Sequence, residues 1–325
     1  MNKKLFGKVK KFLPLIGILI FLCIIFSLNI EKIIDALLSI HPIYIIISLS
    51  LTIPRLILRN FAWQMILKQH RISLTYFQSL KIFLIGFFYG SVTPSYMGQF
   101  MRIPYMKEKT FEPYGKLFVN TMIELVIHNL SLYALMIIGA LIVIGRSIEL
   151  FSIIMVWIVI VLIVLLFFIK KERGEKLFFI LIKYFVPKKF KNNFNKFVGS
   201  FYFDFPKFSK LITPLLIGFF TWIIVFSQEY IFVYALGVEI PYIYFIFLFP
   251  IANTAGFIPI TFAGLGTREL TSIFIFSSLF NVEIEKIFVF TLIGFIATDL
   301  FTGFLGFILS LTETREKKVS LELLE

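Results

Sequence analysis

The chain has 325 residues, 59% hydrophobic and 16% charged, with a mean hydropathy of +0.93 and a formal net charge of +13. An ordinary soluble domain is about 45–50% apolar and about 25% charged, so a water-soluble fold could not cover this much apolar surface. Long apolar runs also exclude a membrane β-barrel, whose strands alternate over segments of about ten residues.

Only helices of roughly 20 residues satisfy their own backbone in lipid. The composition therefore predicts an all-α polytopic membrane protein, a single membrane domain over residues 1–325. The lysines and arginines sit mainly in loops beside apolar runs, where they orient a membrane protein and touch anionic headgroups; nucleic acid is not an expected partner. Cys23 is the sole cysteine, and His41, His70 and His128 are scattered. This argues against an internal disulfide or a zinc site, and no metal or cofactor is expected.

In chain order, a basic tail (1–11, with Lys3, Lys4, Lys8, Lys10 and Lys11) precedes the first run, Phe12–Leu28. This resembles a signal peptide, but Asn29-Ile30-Glu31-Lys32 lacks small cleavage-site residues, which predicts an uncleaved helix. The following runs are Ile43–Leu67, Ile82–Val92, Leu117–Ile144, Leu150–Ile169, Leu211–Leu236, Tyr242–Ile258, Leu270–Phe280 and Ile287–Leu311. Ile82–Val92 and Leu270–Phe280 are too short to span. Each adjoins a Gly/Pro-bearing stretch with charge, at residues 93–102 and 259–269. Paired interruptions of this kind, one in each half, point to a transporter's binding site.

Charge bias decides how the short runs are threaded. If Ile82–Val92 dips in and returns, the cytoplasmic side receives the N-tail, Arg59, Lys68, Arg71, Lys81, Lys107, Lys109, Lys116, the loop 170–210 and the C-tail 312–325. The outside receives little beyond Lys32, Arg146 and Lys286. Full spanning by Ile82–Val92 would put 170–210 outside, against the positive-inside bias. The expected topology is six full spans plus two re-entrant hairpins dipping from opposite faces, with both termini cytoplasmic in the cell membrane. An inverted repeat fits the loose Pro…Gly…Arg likeness of the two interruptions. Loop 170–210 interleaves lysine with aromatics, as in Pro187-Lys188-Lys189-Phe190, and should lie among headgroups.

Ionisable groups at membrane depth are costly and usually face a bundle interior. Arg55, Glu124, Glu229 and Asp299 fall in predicted helices; Arg102, Arg268 and Glu269 fall in the interruptions. One reading makes them ion pairs that only position helices. The other makes them a binding site. Thr93-Pro94 suits a helix start, which would place Gln99 and Arg102 on one face, with Gly98 permitting close approach. Gly264 and Gly266 suit a tight turn, Thr267 a cap, and Glu269 the first helical turn. Free N–H groups plus arginine form a seat for phosphate. The candidate binding residues are Thr93, Pro94, Gly98, Gln99, Arg102, Glu124, Pro259, Gly264, Gly266, Thr267, Arg268, Glu269 and Asp299. None is assigned as catalytic.

At these residues the chain resembles the membrane region of lysylphosphatidylglycerol synthases and the stand-alone flippase-like proteins related to it. The likeness rests on Leu58-Arg59-Asn60-Phe61-Ala62-Trp63, Thr93-Pro94 with Gly98 and Arg102, Glu124, and Pro259 through Gly264-Leu265-Gly266-Thr267-Arg268-Glu269, and covers roughly residues 10–311. It implies a lipid-translocating membrane protein whose partners are membrane lipids with anionic headgroups. Gln99 stands where an acidic residue is common, and His128 where aspartate is expected. The chain ends at Glu325, leaving no room for a synthase domain, so aminoacyl transfer is not implied.

Three functions follow. The leading one is translocation of an anionic phospholipid or lipid-linked precursor, with Arg102 and Arg268 as phosphate partners. The others are an integral-membrane transferase on a lipid-linked substrate, with Glu269 and Asp299 as candidate bases, and a non-catalytic scaffold docking through 170–210. The topology has its own test. In a Cys23→Ser background, cysteines at Ser200 and Asn281 should react with an impermeant maleimide from opposite sides; same-side labelling would break the re-entrant threading.

Overall fold

The computed structural model describes residues 21–93, 96–143, 145, 147–148, 151–152, 154–159, 208–257, 261 and 263–322. Every regular element among them is helical. The helices are α1 (Ile30–Ser39), α2 (Pro42–Ser50), α3 (Thr52–Gln69), α4 (Tyr76–Ser91), α5 (Arg102–Thr110), α6 (Tyr114–Val143), α7 (Ile212–Ala235), α8 (Tyr242–Ala255), α9 (Thr267–Phe280), α10 (Ile284–Phe295) and α11 (Phe301–Glu322). A 3₁₀ turn (Met97–Met101) leads into α5, and a π-helical turn (Ile296–Leu300) joins α10 to α11.

Four helical stretches among the described residues are long and apolar enough to cross a membrane: Pro42–Gln69, Tyr114–Val143, Ile212–Ala235 and Ile284–Glu313. They correspond to four of the six expected spans. The other two, Phe12–Leu28 and Leu150–Ile169, lie largely outside the described residues, as do the N-tail 1–11, nearly all of loop 170–210, Pro94 and Pro259.

Two helices were not among the apolar runs. Helix α1 is amphipathic and starts where the Asn29 carboxamide accepts the N–H groups of Glu31 at 3.0 Å and Lys32 at 3.2 Å, a side-chain cap. Helix α5 is polar and short. Helix α4 begins earlier than its apolar run because Thr75 and Gln78 form a reciprocal capping box. Even so, α4 and α9 have 16 and 14 residues. At about 1.5 Å per residue they are roughly 24 and 21 Å long, short of the roughly 30 Å hydrocarbon core.

Both short helices belong to hairpins. After α4 the chain reverses and, from Tyr96 on, runs back along it: a Cβ on Gly90 would lie 2.7 Å from Gln99 Cγ, and one on Gly86 3.0 Å from Arg102 Cβ. Helix α9 likewise runs back along α8, with Phe245 stacked on Phe276 at 5.5 Å and Tyr244 edge-on to Phe280 at 5.6 Å. The hairpins pack on opposite halves of one span. Along Ile284–Glu313, Lys81 reaches Glu313 at 3.0 Å, and Phe88 meets Phe307 at 5.2 Å. From the other end, Phe276 meets Phe290 at 5.9 Å, and Arg268 lies over Phe295 at 4.4 Å. The tips meet beside the π-helical turn, where Tyr96 stands edge-on to Phe257 at 5.9 Å.

Two apolar cores flank this meeting point. Phe226, Phe245, Phe249, Phe276 and Phe290 build one; Trp63, Phe83, Met106, Leu117 and Ile123 build the other. In lipid, helices gain little from hydrophobic burial against each other and depend on close packing through small residues. Glycines provide it here: a Cβ on Gly306 would lie 2.0 Å from the Leu84 carbonyl oxygen. Gly306→Ala must push α11 off α4 and should destabilise by at least about 1–3 kcal/mol. Gly115→Ala meets nothing within 4 Å and should be neutral or slightly stabilising. Thermal melting in detergent compares the two, and equal melting temperatures would contradict the α4–α11 packing.

Candidate functional site

The buried charges fall into two groups, one for each hairpin. In the first, Glu124 of α6 takes two arginines: Arg59 of α3 at 2.6 Å and Arg102 at 2.5 Å. The guanidinium of Arg102, 1% exposed, lies 4.9 Å over the Trp63 ring, and that of Arg59 lies 5.5 Å over Phe83. Arg59, expected among the cytoplasmic basic residues, is thus buried. Leaving water costs several kcal/mol per ion, and this group is held by charge-assisted bonds plus the two aromatic faces.

The second group surrounds the other tip. Arg268 pairs with Glu269 at 2.6 Å and approaches Asp299 at 4.0 Å. Glu269 also accepts the Gly266 N–H at 2.6 Å, tying the turn to the first turn of α9. Arg55 of α3 donates to the Thr298 carbonyl at 3.0 Å and to the Thr302 hydroxyl. The π-helical turn interrupts the usual ladder here, as such turns often do at functional sites. Glu229 of α7 is 1% exposed and packs on Gly294, where a Cβ would come 3.1 Å from its Oε2.

A cavity of about 320 Å³ lies between the groups. Its wall includes Arg55 and Arg59 from α3, Tyr96, Met97, Gln99 and Phe100 from the first tip, and Asn253 and Phe257 from the second hairpin. His128 and Asn129 of α6, Trp222 of α7, and Asp299 and Thr302 complete it. His128 stacks on Trp222 at 4.6 Å. The cavity surface is mostly apolar, but among its wall residues the buried Arg59 Nε and Nη1 and Asn253 Nδ2 have no hydrogen-bond partner. Buried donors without acceptors are costly, and an anionic or hydroxyl-bearing guest relieves that cost.

Of the residues expected from sequence, Gln99 and Asp299 line the cavity. Arg102, Glu124, Arg268 and Glu269 stand behind its wall and fix the two turns. The Thr93 hydroxyl accepts the Gly98 N–H at 2.7 Å and donates to the Tyr89 carbonyl at 2.9 Å. It therefore closes the turn instead of starting a helix, and regular structure resumes only at Met97. Gly98 lies against Tyr89, where a Cβ would be 1.9 Å from the carbonyl oxygen. In the second turn Gly264 and Gly266 have φ of +84° and +90°, a region that favours glycine. The residue before α9 is Gly266, so Thr267 is the first helical residue and not the cap; its hydroxyl donates to the Gly264 carbonyl at 3.2 Å. Sequence reasoning missed Arg59, Tyr96 and Asn253. One signal was available: Arg55 and Arg59 are four apart in an apolar helix and share a face.

A family model described as the lysylphosphatidylglycerol synthase TM region matches residues 15–306. No curated protein matches the chain.

The Arg59–Glu124–Arg102 group yields a stability prediction. Glu124→Gln leaves two buried arginines facing each other without a counter-charge and should cost about 3–5 kcal/mol. Lys116→Ala, which breaks the partly exposed pair between Lys116 in the first turn of the same helix and Glu112 just before it, should cost at most about 1 kcal/mol. Thermal unfolding in detergent reads both, and equal shifts would contradict the arrangement.

Proposed function

The chain belongs to the lysylphosphatidylglycerol synthase TM-region family of membrane proteins, and from that premise we propose that it is a flippase-like translocase for an anionic phospholipid or anionic lipid-linked precursor. The observation that carries this reading is the arginine-bearing cavity where two opposed hairpin tips meet, midway along a membrane-length span. At about 320 Å³ it suits a headgroup, with the acyl chains left in lipid.

In this reading the chain sits in the cell membrane with six full spans. The hairpins re-enter from opposite faces, and both termini are cytoplasmic. Non-helical backbone at membrane depth is tolerated where it lines a cavity, and Tyr96 and Phe257, beside the two interruptions, do line it. Arg55 and Arg59 bind the phosphate, Gln99 and Asp299 contact the rest of the headgroup, and Arg102–Glu124 and Arg268–Glu269 hold the tips. Thr93, Gly98, Gly264, Gly266 and Thr267 shape the turns; Pro94 and Pro259 stay in the proposed site on their place in the sequence alone. Rocking one hairpin against the other would open the cavity to each leaflet in turn.

The test uses purified protein in liposomes carrying fluorescent phosphatidylglycerol or phosphatidylcholine, read by an impermeant quencher. Exchange of phosphatidylglycerol should exceed that of phosphatidylcholine. Arg59→Ala, which leaves Glu124 paired with Arg102, should lower it about tenfold or more, the worth of one charged hydrogen bond. Wild-type exchange in a well-folded Arg59→Ala protein would remove that residue from the site; no exchange of either lipid in the parent protein would overturn the reading.

A further inference from the structure

Seven of the eight charged side chains around the cavity have a partner. Glu124 holds Arg59 and Arg102, Arg268 holds Glu269 and approaches Asp299, and Arg55 donates to Thr298 and Thr302. Glu229 is the exception: its Oε2 has no hydrogen-bond partner, and it forms no ion pair among the described residues. The two groups also differ in sign. Around the first tip, Arg59 and Arg102 face one carboxylate, Glu124. Around the second, Arg55 and Arg268 face three, Glu229, Glu269 and Asp299. With every group ionised, the first tip carries one surplus positive charge and the second one surplus negative charge, on opposite sides of the cavity.

An anion bound at Arg59 removes the first surplus and leaves the second uncompensated. A net charge in a water-poor interior is expensive and is relieved by a cation. No group of three or more His, Cys, Asp or Glu side chains among the described residues is arranged to hold a metal ion, and the Glu229 side chain packs against Gly294. A proton needs no such set of ligands.

We propose that Glu229 is a proton-binding site coupled to headgroup occupancy: when an anionic headgroup fills the cavity, the Glu229 carboxylate takes up one proton, and when the headgroup leaves, it gives the proton back. The groups facing Glu229 are Arg55 from α3, Arg268 and Glu269 from α9, Asp299 from the π-helical turn and Tyr96 from the first tip. Protonated Glu229 can donate a hydrogen bond, which its ionised form cannot. The headgroup-coupling half of this proposal rests on the translocase reading.

The first measurement is independent of transport. Infrared difference spectra of the protein in nanodiscs, recorded as phosphatidylglycerol replaces phosphatidylcholine, should gain the carbonyl stretch of a protonated carboxylic acid, and Glu229→Gln should abolish that gain. No gain, or a gain that survives Glu229→Gln, would overturn the proposal even if the protein moves lipid. The second measurement is the pH dependence of lipid exchange. It should fall as pH rises, by up to about tenfold per unit for one proton, in the parent protein, and should be flat in Glu229→Gln. An unchanged pH slope in Glu229→Gln would overturn the coupling while leaving translocation standing. The spectral gain without any lipid exchange would leave the proton site standing and overturn the translocase reading.

Discussion

The structure depends on the cost of placing charge inside a protein that lipid surrounds. Each ion that leaves water forfeits several kcal/mol of solvation, and no surface pairing offsets that at membrane depth. The fold meets this constraint at one level, midway along the Ile284–Glu313 span. There Glu124 collects two arginines, Arg268 sits between Glu269 and Asp299, and Arg55 bonds the backbone of the π-helical turn. The Arg59–Glu124, Arg102–Glu124 and Arg55–Thr298 pairs join elements far apart in sequence, while the two tips themselves meet through the Tyr96 and Phe257 rings.

Close approach is the second requirement. Helices that gain little from apolar burial in lipid need backbone-to-backbone packing, and glycine supplies it where a hairpin meets a span. Gly306 lies on the Leu84 carbonyl and Gly139 on the Phe247 carbonyl, and within the first hairpin Gly98 lies on the Tyr89 carbonyl. The two short hairpins then meet midway along the Ile284–Glu313 helix, and the volume between their tips is a mostly apolar cavity that carries Arg55, Arg59 and Asp299 in its wall.

Much of this was legible in the sequence, and the limits have physical causes. A run such as Leu117–Ile144 declares its helix because lipid demands unbroken apolar length, and it appears as Tyr114–Val143. The two short runs beside the 93–102 and 259–269 interruptions marked the hairpins for the same reason. Helix α1 escaped because its signal is an Asn29 cap and amphipathic spacing, not hydropathy. The π-helical turn escaped because nothing local dictates it; its Thr298 carbonyl is met by Arg55, 243 residues away. The pairing of Arg102 with Glu124 is a matter of which helices pack, so an arginine aimed at a ligand and one held in the wall look alike in sequence. Arg59 reads with the cytoplasmic cations because it lies toward the end of its run, near Lys68 and Arg71, yet its pairing with Glu124 of α6 buries it.

The central claim is that two opposed hairpin tips meet at mid-depth and enclose the working cavity. The most direct test introduces Tyr96→Cys and Phe257→Cys, whose native rings lie 5.9 Å apart, into a Cys23→Ser background. Reaction with a short bifunctional thiol cross-linker, followed by counting the free thiols, reports whether the tips join. This account predicts efficient cross-linking within one chain and a simultaneous loss of anionic-lipid exchange, recovered when the cross-link is cleaved. Failure to cross-link, or a cross-linked protein that still moves lipid at its original rate, would contradict it.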